Sequence, residues 1–218
     1  MSSLLHIDAS VSGTGSVSRR LSAAFAARWQ AAHPRGAYVH RDLAVDPVPH
    51  ITGATQAAAA VSDEARTPEQ RAQWTISAPL VDELRAASTL LLGVPMYNFS
   101  IPSTLKAWLD RVIIPAHMVD PSTGRGVLSG KKVVVACARG GSYAPGTPRA
   151  PFDFQEPYLR AVLSLIGLDA DLSFVHAELT MAAVMPQMAA FRGAAAESLD
   201  AALRAVEEHA VDVETSVA

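Results

Sequence analysis

The segment most informative about the fold is Pro95-Met96-Tyr97-Asn98-Phe99-Ser100-Ile101-Pro102, which lies between an apolar segment and an amphipathic one. Residues 89–94 read Thr-Leu-Leu-Leu-Gly-Val, a pattern typical of a strand buried on both faces. From Ser103 to Arg111, apolar residues recur at helical spacing. Open α/β sheets bind ligands in loops that join a buried strand to the next helix. The stretch therefore predicts an α/β protein with a binding site in this loop.

The composition of this loop favours a flat ligand. Pro95 and Pro102 restrict its backbone, while Tyr97 and Phe99 flank the amide Asn98. Aromatic faces and amide hydrogen-bonding groups together suit a planar heterocycle, as in the ring of a flavin. The alternative is that the two aromatic side chains only close the top of an apolar core.

A second loop, after the predicted strand Leu4–Asp8, is rich in serine and glycine. Residues 9–18 read Ala-Ser-Val-Ser-Gly-Thr-Gly-Ser-Val-Ser and precede an amphipathic helix. A helix N-terminus offers unpaired N–H groups and partial positive charge, so it predicts a phosphate site together with the hydroxyls of Ser10, Thr14, Ser16 and Ser18. The competing explanation is that Ser16 or Ser18 is only a helix N-cap.

Neither common nucleotide motif fits this second loop. Its Gly13-Thr14-Gly15 begins like a dinucleotide fingerprint, but Ser18 stands where the third glycine belongs. No Gly-Lys-Ser/Thr follows, so the loop is not of the Walker type. A monophosphate fits better than a diphosphate, with Arg19 close enough to assist electrostatically.

A third loop, Arg139-Gly140-Gly141-Ser142-Tyr143, follows the predicted strand Lys132–Ala138. Paired glycines allow the backbone to approach a ligand closely, although they serve equally well in a tight turn without one. Because the carboxyl ends of parallel strands meet at one edge of a sheet, the three loops are expected to surround one ligand. A ligand with a monophosphate and a flat ring, FMN, satisfies all three.

The remaining elements alternate between strand and helix. A short strand is expected at Ala37–Arg41, and Thr67-Pro68 opens a helix that Pro79 is expected to bend or interrupt. The later pattern predicts a helix at 155–166 ending at Gly167, a strand at 172–176 and a last helix at 188–208. These elements predict a flavodoxin-like, doubly wound five-stranded parallel sheet with helices on both faces, within a single domain over residues 1–218.

The chain resembles the FMN-dependent NADH-azoreductases among the flavodoxin-like quinone oxidoreductases. The resemblance runs from Leu4 through Phe174, and its most specific part is the motif at 95–99 followed by Thr104-Leu105-Lys106. It implies FMN-binding residues in three groups: Ser10, Ser16, Val17 and Ser18 at the phosphate, Pro95, Met96, Tyr97, Asn98 and Phe99 at the isoalloxazine, and Arg139, Gly140 and Gly141 at its other edge. It further implies a homodimer with each active site near the subunit boundary.

The resemblance implies a two-electron, ping-pong reaction in which NADH or NADPH is oxidised and a quinone or azo compound is reduced, with no side chain acting as nucleophile. The chain departs from the family at two places. Pro115–Asp120 replaces a Thr-Phe-x-Tyr-like lid, and Tyr143 stands where histidine is common. Tyr143 and His117 are the side chains considered for orienting substrate, although His117 is equally explained as an exposed loop residue.

Two other functions remain open at this level. A flavodoxin-type electron carrier would pass single electrons between protein partners, and it usually needs an acidic docking face. A flavin reductase would release reduced FMN to a monooxygenase. Direct oxidation of NADH without a separate reductase separates the enzyme from the carrier, and loose retention of FMN indicates the flavin reductase.

Composition restricts the partners. A net charge of −3 and a pI near 6.1 argue against a nucleic-acid-binding surface. No segment reads as a signal peptide or a membrane span, so a cytoplasmic location is expected. Cys137 lies in an apolar strand, which favours a buried role over catalysis. The seven histidines are scattered in the sequence rather than paired at metal spacing, so no metal site is expected.

Overall fold

A computed structural model of the protein describes residues 2–211. Its strands form one all-parallel sheet in the order β2-β1-β3-β4-β5, which is the doubly wound order of the flavodoxin type. The prediction of a five-stranded parallel sheet is therefore confirmed. The strands are β1 (Ser3–Asp8), β2 (Ala37–Asp42), β3 (Thr89–Pro95), β4 (Lys132–Ala138) and β5 (Asp171–Ala177).

Helices cover both faces of the sheet. One face carries the first and last long helices, and the other carries the helices between β2 and β5. Short 3₁₀ turns lie at 13–15, 150–152, 180–183 and 186–191. The α-helices are α1 (Val17–Ala32), α2 (Gly53–Ala59), α3 (Pro68–Ala86), α4 (Ser103–Val112), α5 (Pro115–Met118), α6 (Glu156–Leu165) and α7 (Arg192–His209).

The alternation of side chains along the strands explains the two apolar layers. Leu4 of β1 and Leu91 of β3 face α1 and α7, where they pack with Phe25. Their neighbours Leu5 and Leu92 face the opposite way and pack under α3, α4 and α6. Because both faces are covered, β3 is buried along its whole length. This burial holds the carboxyl ends of β1, β3 and β4 side by side.

Two expectations about helices are corrected. Pro79 does not interrupt α3, which runs continuously from Pro68 to Ala86. Pro79 removes one hydrogen bond to Thr75, but both residues are exposed, so water can satisfy the freed carbonyl. The last helix begins at Arg192 rather than at 188, because Pro186 opens a 3₁₀ turn that occupies residues 186–191.

Candidate functional site

Three loops converge at the carboxyl edge of the sheet. We call them the serine loop (residues 9–18, after β1), the aromatic loop (95–102, after β3) and the glycine loop (139–143, after β4). The Tyr97 Oη accepts a hydrogen bond from the Val11 backbone N–H at 3.2 Å and lies 3.4 Å from the Ser10 Oγ. The predicted ring-binding and phosphate-binding segments are therefore directly linked in the folded chain.

The serine loop caps α1 and leaves first-turn N–H groups available to an anion. Ser16 is the N-cap of α1, because its Oγ accepts a hydrogen bond from the Arg19 backbone N–H at 3.3 Å. Its hydroxyl also lies 3.1 Å from that of Ser18. The cap uses one of the four N–H groups that an α-helix leaves without an intrahelical partner, so other first-turn groups remain for an anion. The role of Ser16 as a helix N-cap is thus compatible with the predicted phosphate site.

Arg19 fixes the shape of the serine loop. Its Nε and Nη2 donate to the Ser10 carbonyl at 3.1 and 2.7 Å, and its Nη1 donates to the Asp42 Oδ2 at 2.6 Å. The hydrogen bonds from Arg19 hold the pKa of Asp42 below its usual value, against a smaller opposing effect of burial. Arg19 thereby ties the loop after β1 to the end of β2. An open cleft of about 610 Å³ lies beside these residues and is lined by Ser10, Val11, Gly13, Thr14, Ser16, Arg19, Arg20, Asp42, Ala44 and Val45.

The aromatic loop contains a tight turn with strained backbone. Tyr97 and Ser100 exchange backbone hydrogen bonds of 2.9 and 3.0 Å, and the two residues between them have positive φ angles, 48° at Asn98 and 69° at Phe99. Positive φ at both central residues is the requirement of a type I′ turn. Asparagine tolerates this conformation, whereas a bulky residue such as phenylalanine adopts it rarely and at a cost of order 1–3 kcal/mol. The turn leaves both side chains exposed at the site.

The turn also joins the glycine loop through aromatic contacts. The Phe99 ring packs edge-on to Tyr143, with 6.4 Å between ring centroids, and lies 5.7 Å from Phe152. The Phe99 carbonyl accepts a hydrogen bond from the Phe154 N–H at 3.0 Å. We call Phe99, Tyr143, Phe152 and Phe154 the aromatic rim. Three of its members expose about half of their surface, 44% for Phe99, 49% for Phe152 and 56% for Phe154, so the rim presents apolar faces to a ligand.

Arg139 supports the glycine loop from beneath. Its side chain is 3% exposed and faces Asp153 at 2.9 Å and Glu178 at 3.6 Å, while its Nε donates to the Gln155 Oε1 at 3.1 Å. Its backbone N–H donates to Ala177. Most of the guanidinium of Arg139 is therefore paired inside the protein, although its buried Nη2 has no hydrogen-bond partner within the described residues.

The paired glycines have a packing role of their own. A Cβ atom at Gly140 would lie 2.8 Å from the Met181 Cγ, and one at Gly141 would lie 2.9 Å from the Arg149 Nη1. The two glycines therefore pack closely against the Met181 and Arg149 side chains, and a larger residue at either position would require these side chains to shift.

Comparison with known proteins places this geometry in a family. The model of a family with a flavodoxin-like fold matches residues 2–206. An FMN-dependent NADH:quinone oxidoreductase of Nocardia farcinica is 47% identical over 225 residues, covering 96% of this chain and 100% of the relative. One of Parafrankia sp. is 44% identical over 191 residues, covering 88% of this chain and 90% of the relative. The chain belongs to this flavodoxin-like family, which its FMN-dependent NADH:quinone oxidoreductase relatives represent.

Solved structures agree on the fold. The azoreductase from Bacillus anthracis strain Sterne superimposes with a TM-score of 0.84 at 22% identity, covering 96% of this chain and 99% of that one. An FMN-dependent NADH-azoreductase from the Ames Ancestor strain, solved in complex with FMN, gives a TM-score of 0.80 at 25% identity, covering 96% and 98%. The flavodoxin-like architecture expected from the sequence is therefore confirmed.

The donor set of this family member suits FMN. Serine hydroxyls and first-turn N–H groups suit a phosphate, while the exposed faces of the aromatic rim suit a tricyclic ring. Within residues 2–211 no helix is long and apolar enough to cross a bilayer.

The structure adds residues at the site that sequence reasoning missed. Glu178 accepts hydrogen bonds from the Ser142 hydroxyl at 2.6 Å and from the Tyr143 N–H at 2.7 Å. Glu178 directly follows β5. Ligands of open α/β sheets bind at the carboxyl ends of the strands, so the same reasoning that predicted the three loops would have indicated this fourth strand end. Sequence reasoning gives Lys106 only as part of the Thr104-Leu105-Lys106 motif. In the structure, a cleft of about 500 Å³ is lined by Lys106, His50 and Tyr158 together with Tyr97 and Asn98.

The two side chains considered for orienting substrate are placed differently. Tyr143 lies at the glycine loop, where its ring packs against Phe99. His117 lies in α5 with its ring 5.0 Å from that of Trp74 of α3, and its carbonyl accepts a hydrogen bond from Arg85 at 2.6 Å. Burial, followed by the nearby cations Arg85 and Arg66, lowers the pKa of His117. Within one chain, the contacts described for His117 are with α3 and with Ala59 of α2.

Proposed function

We propose that the protein is an FMN-dependent oxidoreductase that takes two electrons from NADH or NADPH and reduces quinones or azo compounds in a ping-pong reaction. The observation that supports it most is the convergence of the serine, aromatic and glycine loops through Tyr97 and Phe99. The names of relatives that cover nearly the whole chain supply the reaction. When bound, FMN supplies the centre that accepts and donates hydride, as flavin cofactors do.

The chain's own residues have three tasks in this proposal. Ser10, Ser16, Val17 and Ser18 bind the phosphate, by hydroxyls and by the N–H groups at the start of α1. Pro95, Met96, Tyr97, Asn98 and Phe99 hold the isoalloxazine from the aromatic loop, and Gly140 and Gly141 bound its other edge, positioned by Arg139. These residues bind and orient the cofactor, and none needs to act as a nucleophile.

The aromatic rim has a separate task, which concerns the substrate. Phe99, Phe152 and Phe154 offer exposed apolar surface beside Tyr143, so they exclude water and favour flat aromatic acceptors. Nicotinamide and acceptor then use the same space in turn, because each needs the same aromatic surroundings. Tyr143 is our choice for orienting the acceptor, since it is held by both Phe99 and the Glu178 contact of its backbone.

The decisive experiment is an anaerobic titration of the FMN-loaded protein. Bleaching of the bound-flavin absorbance by NADH or NADPH, and its recovery on adding menadione, is the expected result. Steady-state rates at several fixed menadione concentrations should give parallel double-reciprocal lines. Intersecting lines would contradict the ping-pong scheme, and failure of both nicotinamides to bleach the flavin would contradict the enzyme proposal itself.

The alternatives have less support. None of the relatives named above is described as an electron carrier or as a supplier of reduced flavin. A stable one-electron semiquinone with no direct NADH oxidation would favour the carrier, and loss of FMN on gel filtration would favour the flavin reductase.

We also propose that the protein is a homodimer that works in the cytoplasm. Phe152 and Phe154 expose large apolar surfaces beside the site, as expected where a second subunit completes it. The location follows from the proposed donor, because NADH is an intracellular metabolite. Light scattering coupled to gel filtration tests the assembly, and a monomer at micromolar concentration would refute it.

A further inference from the structure

A polar cluster between β1 and β2 has no part in the proposed flavin site. The sequence suggested scattered histidines, but His6 of β1 and His40 of β2 are register partners in the parallel pair. Their rings lie side by side with centroids 4.4 Å apart. Asp8, two residues after His6, points to the same face of the sheet and completes the group.

The three side chains present their ligand atoms to one another. The His6 Nε2 lies 3.3 Å from the Asp8 Oδ2, and the His40 Nε2 lies 3.1 Å from the same oxygen. All three atoms fall within 4.8 Å of one another. In a tetrahedral zinc site with bonds of roughly 2.0–2.1 Å, neighbouring ligand atoms are about 3.3 Å apart. Two of the three separations already have this length.

The surroundings of His6 are those of a metal-binding histidine. His6 is 2% exposed, and its Nδ1 lies 2.9 Å from the Tyr38 Oη. Its Nε2 is buried and has no hydrogen-bond partner in the described part of the chain. With the Nδ1 proton donated to Tyr38, the Nε2 lone pair faces the Asp8 carboxylate oxygen, an arrangement that is favourable only when a positive centre, a metal ion or a proton on Nε2, lies between them. The opposite tautomer would aim an N–H at Asp8 without hydrogen-bond geometry.

Asp8 is held in place from its other side. The Ser22 hydroxyl donates to the Asp8 Oδ1 at 2.8 Å, and a Cβ atom at Gly93 would collide with that same oxygen. The carboxylate is therefore fixed by Ser22 and by the absence of a side chain at Gly93, with Oδ2 left toward the histidines. The His40 side chain is 38% exposed, which gives an ion a route from solvent.

The local charge permits a divalent cation. Arg19 lies 3.7 Å from the Asp8 Oδ2, but its guanidinium is already paired with Asp42. When both histidines are neutral, Arg19 contributes one positive charge and Asp8 and Asp42 contribute two negative charges. The group then has a net charge of −1. Arg19 thus reduces the attraction for a metal ion but does not cancel the negative charge of the group.

We propose that His6, Asp8 and His40 form a binding site for a zinc-type divalent metal ion, open on the side of His40. Two imidazoles and a carboxylate are a ligand set that zinc accepts, with water or another donor in the fourth position. The ion would connect β1 to the edge strand β2 immediately before the serine loop, so its role is to stabilise that pair of strands. The Tyr38 hydroxyl would orient His6 from behind.

Equilibrium dialysis of the FMN-loaded protein against zinc chloride, with elemental analysis of the bound metal, tests the site. The wild type should retain one zinc per chain, and zinc should raise its unfolding temperature. Tyr38→Phe should weaken zinc affinity about tenfold, because it removes the group that orients His6. His40→Gln should abolish stoichiometric binding while still folding, because His40 is partly exposed, whereas His6→Gln risks the fold.

His209→Gln, at the end of α7, is the matched control and should bind zinc like the wild type. Two results would overturn the proposal: no stoichiometric zinc in the wild type, or equal zinc content in the wild type and His40→Gln. In the second case the metal is bound elsewhere on the surface. Because the readout is bound metal, the result does not depend on any flavin reaction.

Discussion

At the residue scale, the turn at Asn98 and Phe99 shows how backbone conformation sets the site. The residue identities in the aromatic loop suggested a flat ligand, but they did not indicate that two successive residues adopt positive φ. The Tyr97 hydroxyl depends on this turn, because the turn places the Tyr97 ring against the serine loop. The strain lies at the position proposed to bind the flavin ring, which is common for functional sites.

Substitutions at Asn98 test the strain. Asn98→Ala should be less stable than Asn98→Gly by about 1–2 kcal/mol, because a Cβ atom disfavours the left-handed conformation that glycine adopts freely. Thermal or urea unfolding of the two variants without FMN measures the difference. The exposure of Asn98 limits any other loss of contacts. Equal stability would mean that the turn relaxes to negative φ in solution.

At the scale of elements, Arg19 of α1 links the loop after β1 to the end of β2. Arg19→Met should lower FMN affinity about tenfold more than Arg20→Met does, since both lose one positive charge in the same cleft but only Arg19 holds the Ser10 carbonyl. Fluorescence quenching on FMN binding gives both affinities. Equal losses would show that Arg19 contributes charge alone.

The packing of α4 against the sheet gives a second element-scale prediction. Trp108 is 1% exposed, and its indole N–H has no hydrogen-bond partner within the described residues. Trp108→Ala should cost about 3–5 kcal/mol of unfolding free energy, because it leaves a large cavity. Trp108→Phe should cost much less, since removing an unpaired buried N–H offsets part of the lost contact. Urea unfolding compares the two, and similar losses would mean that the indole N–H is satisfied by water.

At the scale of the whole molecule, carboxylates link strand pairing to pH. Burial opposes ionisation of Asp8, but the nearby His6, Ser22 and His40 side chains outweigh it and lower the pKa of Asp8. The pKa of Asp42 is also lowered, chiefly by Arg19. A lowered folded-state pKa stabilises the protein above the ordinary aspartate value, and this contribution is lost as the pH falls through the folded pKa. The β1–β2 region should therefore weaken in acid.

Acid unfolding of Asp42→Asn tests this dependence. The variant should be less stable than the wild type at pH 7, and the difference should shrink as the pH falls from about 4 through the lower folded-state pKa of Asp42, because the unfolded chain binds a proton before the folded protein does. Asp171→Asn, an exposed position at the start of β5, is the control and should follow the wild type. Urea midpoints between pH 7 and pH 3 provide the measurement. A difference that stays constant with pH would show that ionisation of Asp42 does not cause the loss of stability in acid.

The order of strands and helices and the three loops could be predicted from the sequence, because apolar periodicity, Ser/Gly content and the Met-Tyr-Asn-Phe motif are local properties. The sequence could not show that Arg139 turns inward, that Pro79 stays within a helix, or that His117 packs on Trp74, because each depends on neighbours distant in the chain. In the sequence, 33 residues lie between His6 and His40. Only the parallel register of β1 and β2, fixed by backbone hydrogen bonds between strands, brought the two rings into contact.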